Sequence, residues 1–180
     1  MNKTVLISIV VGIVFILCVI FGVQHSQNKA IAYEETIANC QSDIDVQIDR
    51  KINVLSELAE CVKQYDKHEY ETLLAVISAR GENMTDVQAQ EIKAQINAVA
   101  EAYPDLKSQE NYKQFMTEIA TTENLIASYK QAYNTSVERY RGYCRSFPAR
   151  NFLGIVGYEV QQYEYYQTDK TDTEPLTLFD

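Results

Sequence analysis

The residues best suited to chemistry in this sequence are the pair His68-Glu69 and the thiol of Cys61, seven positions before His68. A zinc hydrolase carries His-Glu-x-x-His on one helix, and a di-iron bundle carries two Glu-x-x-His pairs. Neither pattern occurs, because His25 is the one other histidine. No third group or oxyanion donor accompanies Cys61 and His68. The sequence therefore predicts no catalytic residue, no metal site and no cofactor, and a protein that is not an enzyme.

A second set of polar residues falls where the helical pattern predicts a buried interior. Glu123 lies on an apolar stripe, and a carboxylate that faces a core must be paired or protonated. We expect Arg80 to pair with Glu123, and Asn124 and Tyr103 to donate hydrogen bonds near it. These residues predict a structural polar core, with a ligand site between the helices as the alternative.

The elements that position these residues begin with an apolar run, residues 4–23, that contains no charge. Twenty helical residues rise ~30 Å, which matches the hydrocarbon core of a bilayer. The run is longer than the apolar region of a secretory signal, and no small-residue cleavage site follows it. We therefore expect residues 1–23 to remain as a transmembrane anchor in contact with lipid. Lys3 and Lys29 flank the run almost evenly, so charge leaves the orientation open.

The composition beyond the anchor indicates one acidic domain. The chain has 16 Lys plus Arg against 25 Asp plus Glu, and such a surface repels nucleic acid and anionic headgroups. The cysteines outside the apolar run, Cys40, Cys61 and Cys144, have no paired spacing. Unpaired thiols favour a reducing compartment.

Capping signals predict two short helices in the middle of the chain. A break near Tyr65 is followed by Asp66 and Glu69, which form a capping box. Thr85 and Gln88 form a second box. We expect the first short helix to stop near residue 81 and the second to stop at Pro104.

Two long helices, about 24–64 and 108–146, surround the short ones, since apolar residues recur every three or four positions. The predicted fold is all-α: a transmembrane helix followed by an up-and-down four-helix bundle with two long and two short helices. We expect an anchor at 1–23, the bundle at 24–146, and an apolar segment with an acidic, Tyr-rich tail at 147–180. The halves of the long helices nearest the membrane form a stalk with an incompletely covered stripe, where we expect self-association.

The apolar segment, residues 147–158, returns to the membrane in this topology. We expect it to lie at the bilayer surface or to cover the stalk; closing the end of the bundle is the alternative. The residues expected to contact the membrane surface are Arg150, Phe152, Leu153 and Tyr158. The tail beyond is expected to be partly extended.

A series of short motifs resembles the LemA family of bacterial membrane-anchored helical proteins. The motifs are Val62-Lys63-Gln64-Tyr65, His68-Glu69, Ala79-Arg80, Glu101 to Lys107 (EAYPDLK), Asn111, Phe115, Thr122-Glu123-Asn124, Tyr133-Asn134, Phe147-Pro148 and Gly157-Tyr158. The resemblance covers essentially the whole chain, and EAYPDLK is its most specific part. It implies a four-helix bundle, a short amino terminus outside the cell and a cytoplasmic bundle. The molecular function of the family is unsettled, so no reaction is implied.

One segment departs from the family pattern. Where the family has a run like RRxDLIPNLV, this chain has RKINVLSELA at 50–59, which places Lys51 at the second arginine. The Asp, Pro and Asn of the pattern are also replaced. Losing the proline should straighten the helix at Ser56, and the sequence leaves open whether this segment keeps a family role that needs the Arg/Asp pair.

Two functions remain from these observations. The first is a membrane-anchored interaction or scaffold protein that binds protein partners or itself. The second is a membrane-tethered module that senses a ligand or signal bound between its helices.

Overall fold

The computed structural model describes residues 3–80 and 84–167, and every regular element in these residues is a helix. The helices are α1 (Lys3–Val62), α2 (Lys67–Arg80), α3 (Asp86–Ala102), α4 (Pro104–Ser108), α5 (Glu110–Arg145) and α6 (Ala149–Val156). The predicted all-α class is confirmed. The predicted helix stop at residue 81 and the end of the acidic tail, residues 168–180, lie outside the described residues.

Helix α1 begins at Lys3, just before the apolar run, and continues through Val62 without a break. By length and composition it is the one helix among the described residues that could cross a membrane, with a mean hydropathy of 3.2 in its most apolar window. No residue of that window is buried, as expected of a helix whose side chains face lipid. The helix also passes Ser56 uninterrupted.

Both predicted caps form, but Asp66 caps α2 without the reciprocal bond of a capping box, because its own N–H donates to the carbonyl oxygen of Val62 at 2.9 Å. Oδ1 of Asp66 accepts hydrogen bonds from the backbone N–H groups of His68 and Glu69, both at 3.0 Å. Thr85 and Gln88 complete a reciprocal capping box at the start of α3. These bonds satisfy amides that have no partner within their own helix.

The fourth predicted helix differs at its start. Pro104 does not simply end α3 but occupies the first turn of the short helix α4, where its missing N–H costs nothing. Gln109 then adopts an extended conformation, so α5 begins at Glu110 rather than at Ser108.

The chain divides into two compact units. The second unit, Ala38–Ala132, has one apolar core to which α1, α2, α3, α4 and α5 all contribute. Its most deeply buried side chains include Leu55, Leu58, Val62, Leu73, Ile92, Ile96, Leu106 and Ile119.

The first unit comprises Met1–Ile37 and Tyr133–Asp180. Its buried side chains come from α1, the end of α5, and α6. They include Ala30, Ile37, Tyr133, Val137, Tyr140, Cys144 and Leu153. Residues 158–167, which we call the strap, have no regular secondary structure.

Candidate functional site

Five charged side chains of the second unit form one connected set, which we call the charge ladder. The residues are Lys51 on α1, Asp86 and Lys93 on α3, and Glu123 and Lys130 on α5. The acid and the lysine on α3 are seven residues apart, as are those on α5. Because seven residues make about two helical turns, each pair projects from one face of its helix.

The ladder pairs the charged residues of α3 and α5 in antiparallel order, so the earlier residue on one helix meets the later residue on the other. Nζ of Lys130 donates to Oδ2 of Asp86 at 2.8 Å, and Nζ of Lys93 donates to Oε2 of Glu123 at 2.7 Å. Lys51 lies between the two carboxylates: its Nζ is 3.0 Å from Oδ1 of Asp86 and 3.1 Å from Oε1 of Glu123. Each carboxylate therefore contacts two ammonium groups.

Lys51 is the most buried member, with 0% of its side chain exposed, whereas Asp86 and Glu123 keep about a quarter of theirs (23% and 24%). Burial raises the pKa of Asp86, but the hydrogen bonds from Lys130 and Lys51 together lower it by more. The pKa of Asp86 therefore lies below its ordinary value. Burial likewise raises the pKa of Glu123, and Lys93 and Lys51 reverse the shift. Both acids are therefore ionised at neutral pH.

The ladder has no reactive group to offer. An ammonium ion between two carboxylates donates hydrogen bonds and has no free electron pair with which to attack a substrate. Oε1 of Glu123 is buried and accepts no aligned hydrogen bond, so its contact with Lys51 is an ion pair without hydrogen-bond geometry. The arrangement is suited to holding three helices in one register.

The four residues predicted for the polar core are placed differently from one another. Glu123 is in the ladder, whereas Asn124 is exposed and the hydroxyl of Tyr103 donates to Oδ2 of Asp66 at 3.4 Å. The side chain of Arg80 lies outside the part that the structure describes, so its pairing with Glu123 stays a prediction.

Sequence reasoning missed Lys51, although a signal was present. Lys51 lies three residues after Ile48 and four before Leu55, on the apolar stripe of α1. A lysine in that position needs acids from other helices. The repeated spacing of an acid and a lysine seven residues later, at Asp86 and at Glu123, marks those acids.

A second polar cluster lies in the first unit. Oε1 of Glu34 accepts from the hydroxyl of Tyr158 at 2.6 Å and from that of Tyr140 at 2.8 Å, and the two hydroxyls are 3.3 Å apart. The backbone N–H of Gln161 donates to the Tyr140 oxygen at 2.9 Å. Burial, and then the bond to Glu34, raises the pKa of Tyr140 to about 12. Burial and Glu34 also raise the pKa of Tyr158, so both phenols stay neutral donors.

Asn134 holds the strap against α5. Its Nδ2 donates to the carbonyl oxygen of Tyr166 at 2.8 Å, and its Oδ1 accepts from the N–H of the same residue at 2.9 Å. Arg141 donates to the carbonyl oxygen of Tyr163. The ring of Tyr133 packs edge-on against that of Tyr166, with centroids 4.9 Å apart. In its described part, up to residue 167, the tail that the sequence predicted to be partly extended is therefore fixed along α5.

The residues predicted to contact the membrane surface divide into two groups. Leu153 is buried and Tyr158 bonds Glu34, so both are turned toward the protein interior. Phe152 is half-buried and packs against Gly22, and Arg150 is exposed. The contact with lipid stays a prediction.

The residues first considered for chemistry have ordinary surroundings. Burial, and then the charge of Glu57, raises the pKa of Cys61, which keeps the thiol protonated and weakly nucleophilic. The backbone of His68 takes part in the cap at Asp66. Within residues 3–80 and 84–167, no group of three His, Cys, Asp or Glu side chains could hold a metal ion.

Comparison with known proteins gives a consistent result. A model of the LemA family matches residues 40–179. Protein LemA of Metamycoplasma hominis is 29% identical, over 60% of this chain and 54% of that protein. Magnetosome protein MamQ 2 and magnetosome protein MamQ 1 of Paramagnetospirillum magneticum are also 29% identical, over 44% of this chain and 28% of each. The chain thus spans about half of the LemA protein and less than a third of the two MamQ proteins.

Proposed function

Because this chain belongs to the LemA family, we propose that it is a membrane-anchored scaffold whose helical domain binds protein partners and carries out no reaction of its own. The anchor is the apolar run at residues 4–23. The charge ladder is the observation that supports this proposal most directly. Lys51 is paired with both Asp86 and Glu123 inside the domain. Recognition of a partner is therefore left to the outer faces of the helices.

We propose an up-and-down four-helix bundle at residues 24–146, between the anchor at 1–23 and the C-terminal segment at 147–180. The support is the order of long and short helices and the core that α1, α2, α3 and α5 share in the second unit. The bundle is proposed to lie in the cytoplasm, as the family resemblance favours and as the reduced state of Cys40, Cys61 and Cys144, which form no disulfide among the described residues, also favours. Protease added to intact cells should then leave this domain uncut.

The outer faces of the second unit carry large apolar side chains on four helices. Val46 on α1 is 57% exposed and Val87 on α3 is 60% exposed; Leu74 on α2 and Leu125 on α5 are less exposed. Association that covers an exposed apolar side chain is favourable, because it removes apolar surface from water. We propose Val46 and Val87 as contact points for a protein partner.

Crosslinking in intact membranes tests this role. A photoreactive amino acid placed at Val46 or Val87 should give protein adducts that survive detergent extraction. The matched control is the same probe at Lys113, an exposed polar position on α5. Adducts that are equally rare at all three positions would contradict a partner at the apolar sites.

The alternative is a ligand- or signal-sensing module with its site near Arg80, Tyr103 and Glu123. It has less support, because Glu123 already contacts two lysines and Tyr103 bonds Asp66. A small molecule that raises the melting temperature, in a chain that gives no protein adducts, would favour the sensor over the scaffold.

A further inference from the structure

We propose that helix α6, together with Phe147 in the turn before it, lies in the surface layer of the membrane, and that Phe147, Ile155 and Val156 lie among the lipids. The chain would then meet the bilayer at two points, the anchor and α6. This inference rests on the proposed anchor, and it names side chains that the sequence pattern did not select.

The contact between Phe152 and Gly22 sets the depth of α6. A Cβ atom at residue 22 would lie 2.8 Å from Cζ of Phe152 and 3.0 Å from Cε2, closer than carbon atoms approach without a shift. The ring therefore lies directly on the backbone of α1. Gly22 belongs to the last turn of the apolar run at 4–23, so α6 is held where α1 leaves the hydrocarbon.

The next contacts along α1 support the same placement. The hydroxyl of Tyr143, at the end of α5, donates to the carbonyl oxygen of Ser26 at 3.3 Å. The ring of Tyr143 also lies 5.2 Å from Nζ of Lys29 and 5.5 Å from the ring of Tyr33. The end of α5 thus packs on the first polar turns of α1, and α6 follows it toward the apolar run.

The two sides of α6 differ in what they contact. Ala149 and Leu153 are buried against the protein. On the outside, Phe147 is 83% exposed, Ile155 is 67% exposed and Val156 is 43% exposed. Large apolar side chains in water at this depth lie beside the apolar surface of α1, so the bilayer that covers one also reaches the other.

Arg150 completes the match to a lipid surface. It is exposed on the same helix, and a long cationic side chain at this level can extend to lipid phosphates while its methylene groups stay near the acyl chains. A protein cover for these side chains is the competing outcome, which the experiment below separates from lipid.

Tryptophan fluorescence can test the position of α6, because the chain contains no tryptophan. Full-length chains with Phe147→Trp or Ile155→Trp would be reconstituted into phosphatidylcholine and phosphatidylglycerol vesicles with bromine atoms on the acyl chains. Phe15→Trp, in the middle of the apolar run, is the control for the anchor. Bromine quenches tryptophan on contact, so quenching reports contact with lipid.

The control away from the membrane is Tyr165→Trp in the strap. Tyr165 lies over the guanidinium of Arg141 at 4.7 Å, and the neighbouring Tyr140 bonds Glu34. Glu34 is twelve residues beyond Gly22, which is about 18 Å along a helix. Substituting tryptophan for an aromatic residue that is 44% exposed should leave the fold intact.

Quenching at Phe147→Trp and Ile155→Trp, stronger with bromines near the headgroups than near the chain ends, is the expected result, with no quenching at Tyr165→Trp. Phe15→Trp should show the opposite depth preference.

If Phe15→Trp is quenched while the two α6 reporters behave like Tyr165→Trp, α6 does not touch lipid and the proposal is overturned, although the anchor stands. A blue-shifted but unquenched emission from α6 would mean a protein cover and would also overturn it. No quenching at Phe15→Trp would remove the anchor and the inference with it.

Discussion

Nζ of Lys51 lies 3.0 Å from Oδ1 of Asp86, although 35 positions separate the two residues in the chain. The lysine side chain is wholly buried, so this contact and the one to Glu123 decide whether a charge can exist in the core of the second unit. The predictions that follow depend on these bonds, on the strap and on α6.

The two carboxylates of the charge ladder should be non-additive. Asp86→Asn or Glu123→Gln alone leaves Lys51 one ionised partner and should lower the free energy of unfolding by about 0.5–1.5 kcal/mol. The double variant leaves a buried ammonium unpaired and should lower it by roughly 3–5 kcal/mol, more than the two single changes added together. Thermal melts of the full chain in detergent measure the difference.

Restoring an apolar core should rescue that double variant. Adding Lys51→Met removes the unpaired charge and should recover most of the lost stability. Glu118→Gln is the control, because its partner Arg50 is 54% exposed and exposed pairs contribute about 0–1 kcal/mol. If the double variant melts no lower than the less stable of the two single variants, Lys51 does not bridge the two carboxylates.

Stability should fall in acid through Asp86 and Glu123. Their pKa values are lowered in the folded chain, so their contribution is present above the unfolded values, about 3.9 and 4.3. It is lost as the pH falls through the lower folded values. The melting temperature of the parent should therefore drop below about pH 4. The Asp86→Asn/Glu123→Gln variant should show a shallower drop, and parallel curves would mean that other carboxylates carry the acid effect.

Removing the side-chain amide of Asn134 should free the strap. Asn134→Ala deletes both bonds to the main chain of Tyr166, at about 1–2 kcal/mol. The amide of Tyr166 should lose its protection from hydrogen exchange while α3 keeps its own. Asn124→Ala changes an exposed asparagine and should leave Tyr166 protected. An unchanged exchange rate in Asn134→Ala would show that the other contacts of the strap hold it without Asn134.

Deleting the strap should cause self-association. A stop codon at position 158 removes Tyr158 and Tyr163, which pack on Glu34 and Tyr140, and so uncovers apolar surface on α5. The shortened chain should form larger particles in light scattering. A stop codon at position 168 retains the strap and is the matched control. If both chains stay the size of the parent, this surface does not drive association.

Gly22 and Gly12 should tolerate a side chain very differently. Gly22→Leu forces the ring of Phe152 away, since even a Cβ would lie 2.8 Å from it, and overpacking costs about 1–3 kcal/mol. The amides of α6 should then exchange faster. Nothing lies within 4 Å of a Cβ at Gly12, so Gly12→Leu should leave α6 unchanged. Equal exchange in the two variants would argue against the contact between Gly22 and Phe152.

Local signals in the sequence were sufficient for the starts of α2 and α3. The caps at Asp66 and Thr85 depend on residues three positions away, and such short-range chemistry is visible in a single chain. The expected stripe on the two long helices is also present. In the first unit, the strap covers part of it, where the sequence predicted an incompletely covered stripe and offered residues 147–158 as one possible cover.

The contacts of the charge ladder and of the strap could not be predicted from local sequence patterns, for a physical reason. The partners of Lys51 come from helices 35 and 72 positions away, so their meeting depends on how the helices pack. Asn134 bonds the main chain of Tyr166. Main-chain atoms are the same at almost every residue, so the sequence does not indicate which residue Asn134 would bond. A helical period contains neither kind of information.

The two bonds from Asn134 have an evolutionary consequence. They contact the N–H and the carbonyl oxygen of residue 166 and do not involve its side chain. Mutations at position 166 should therefore leave both bonds in place, with proline excluded because it lacks the N–H. Related chains could exchange this tyrosine, lose its ring contact with Tyr133, and still hold the main chain of the strap on α5.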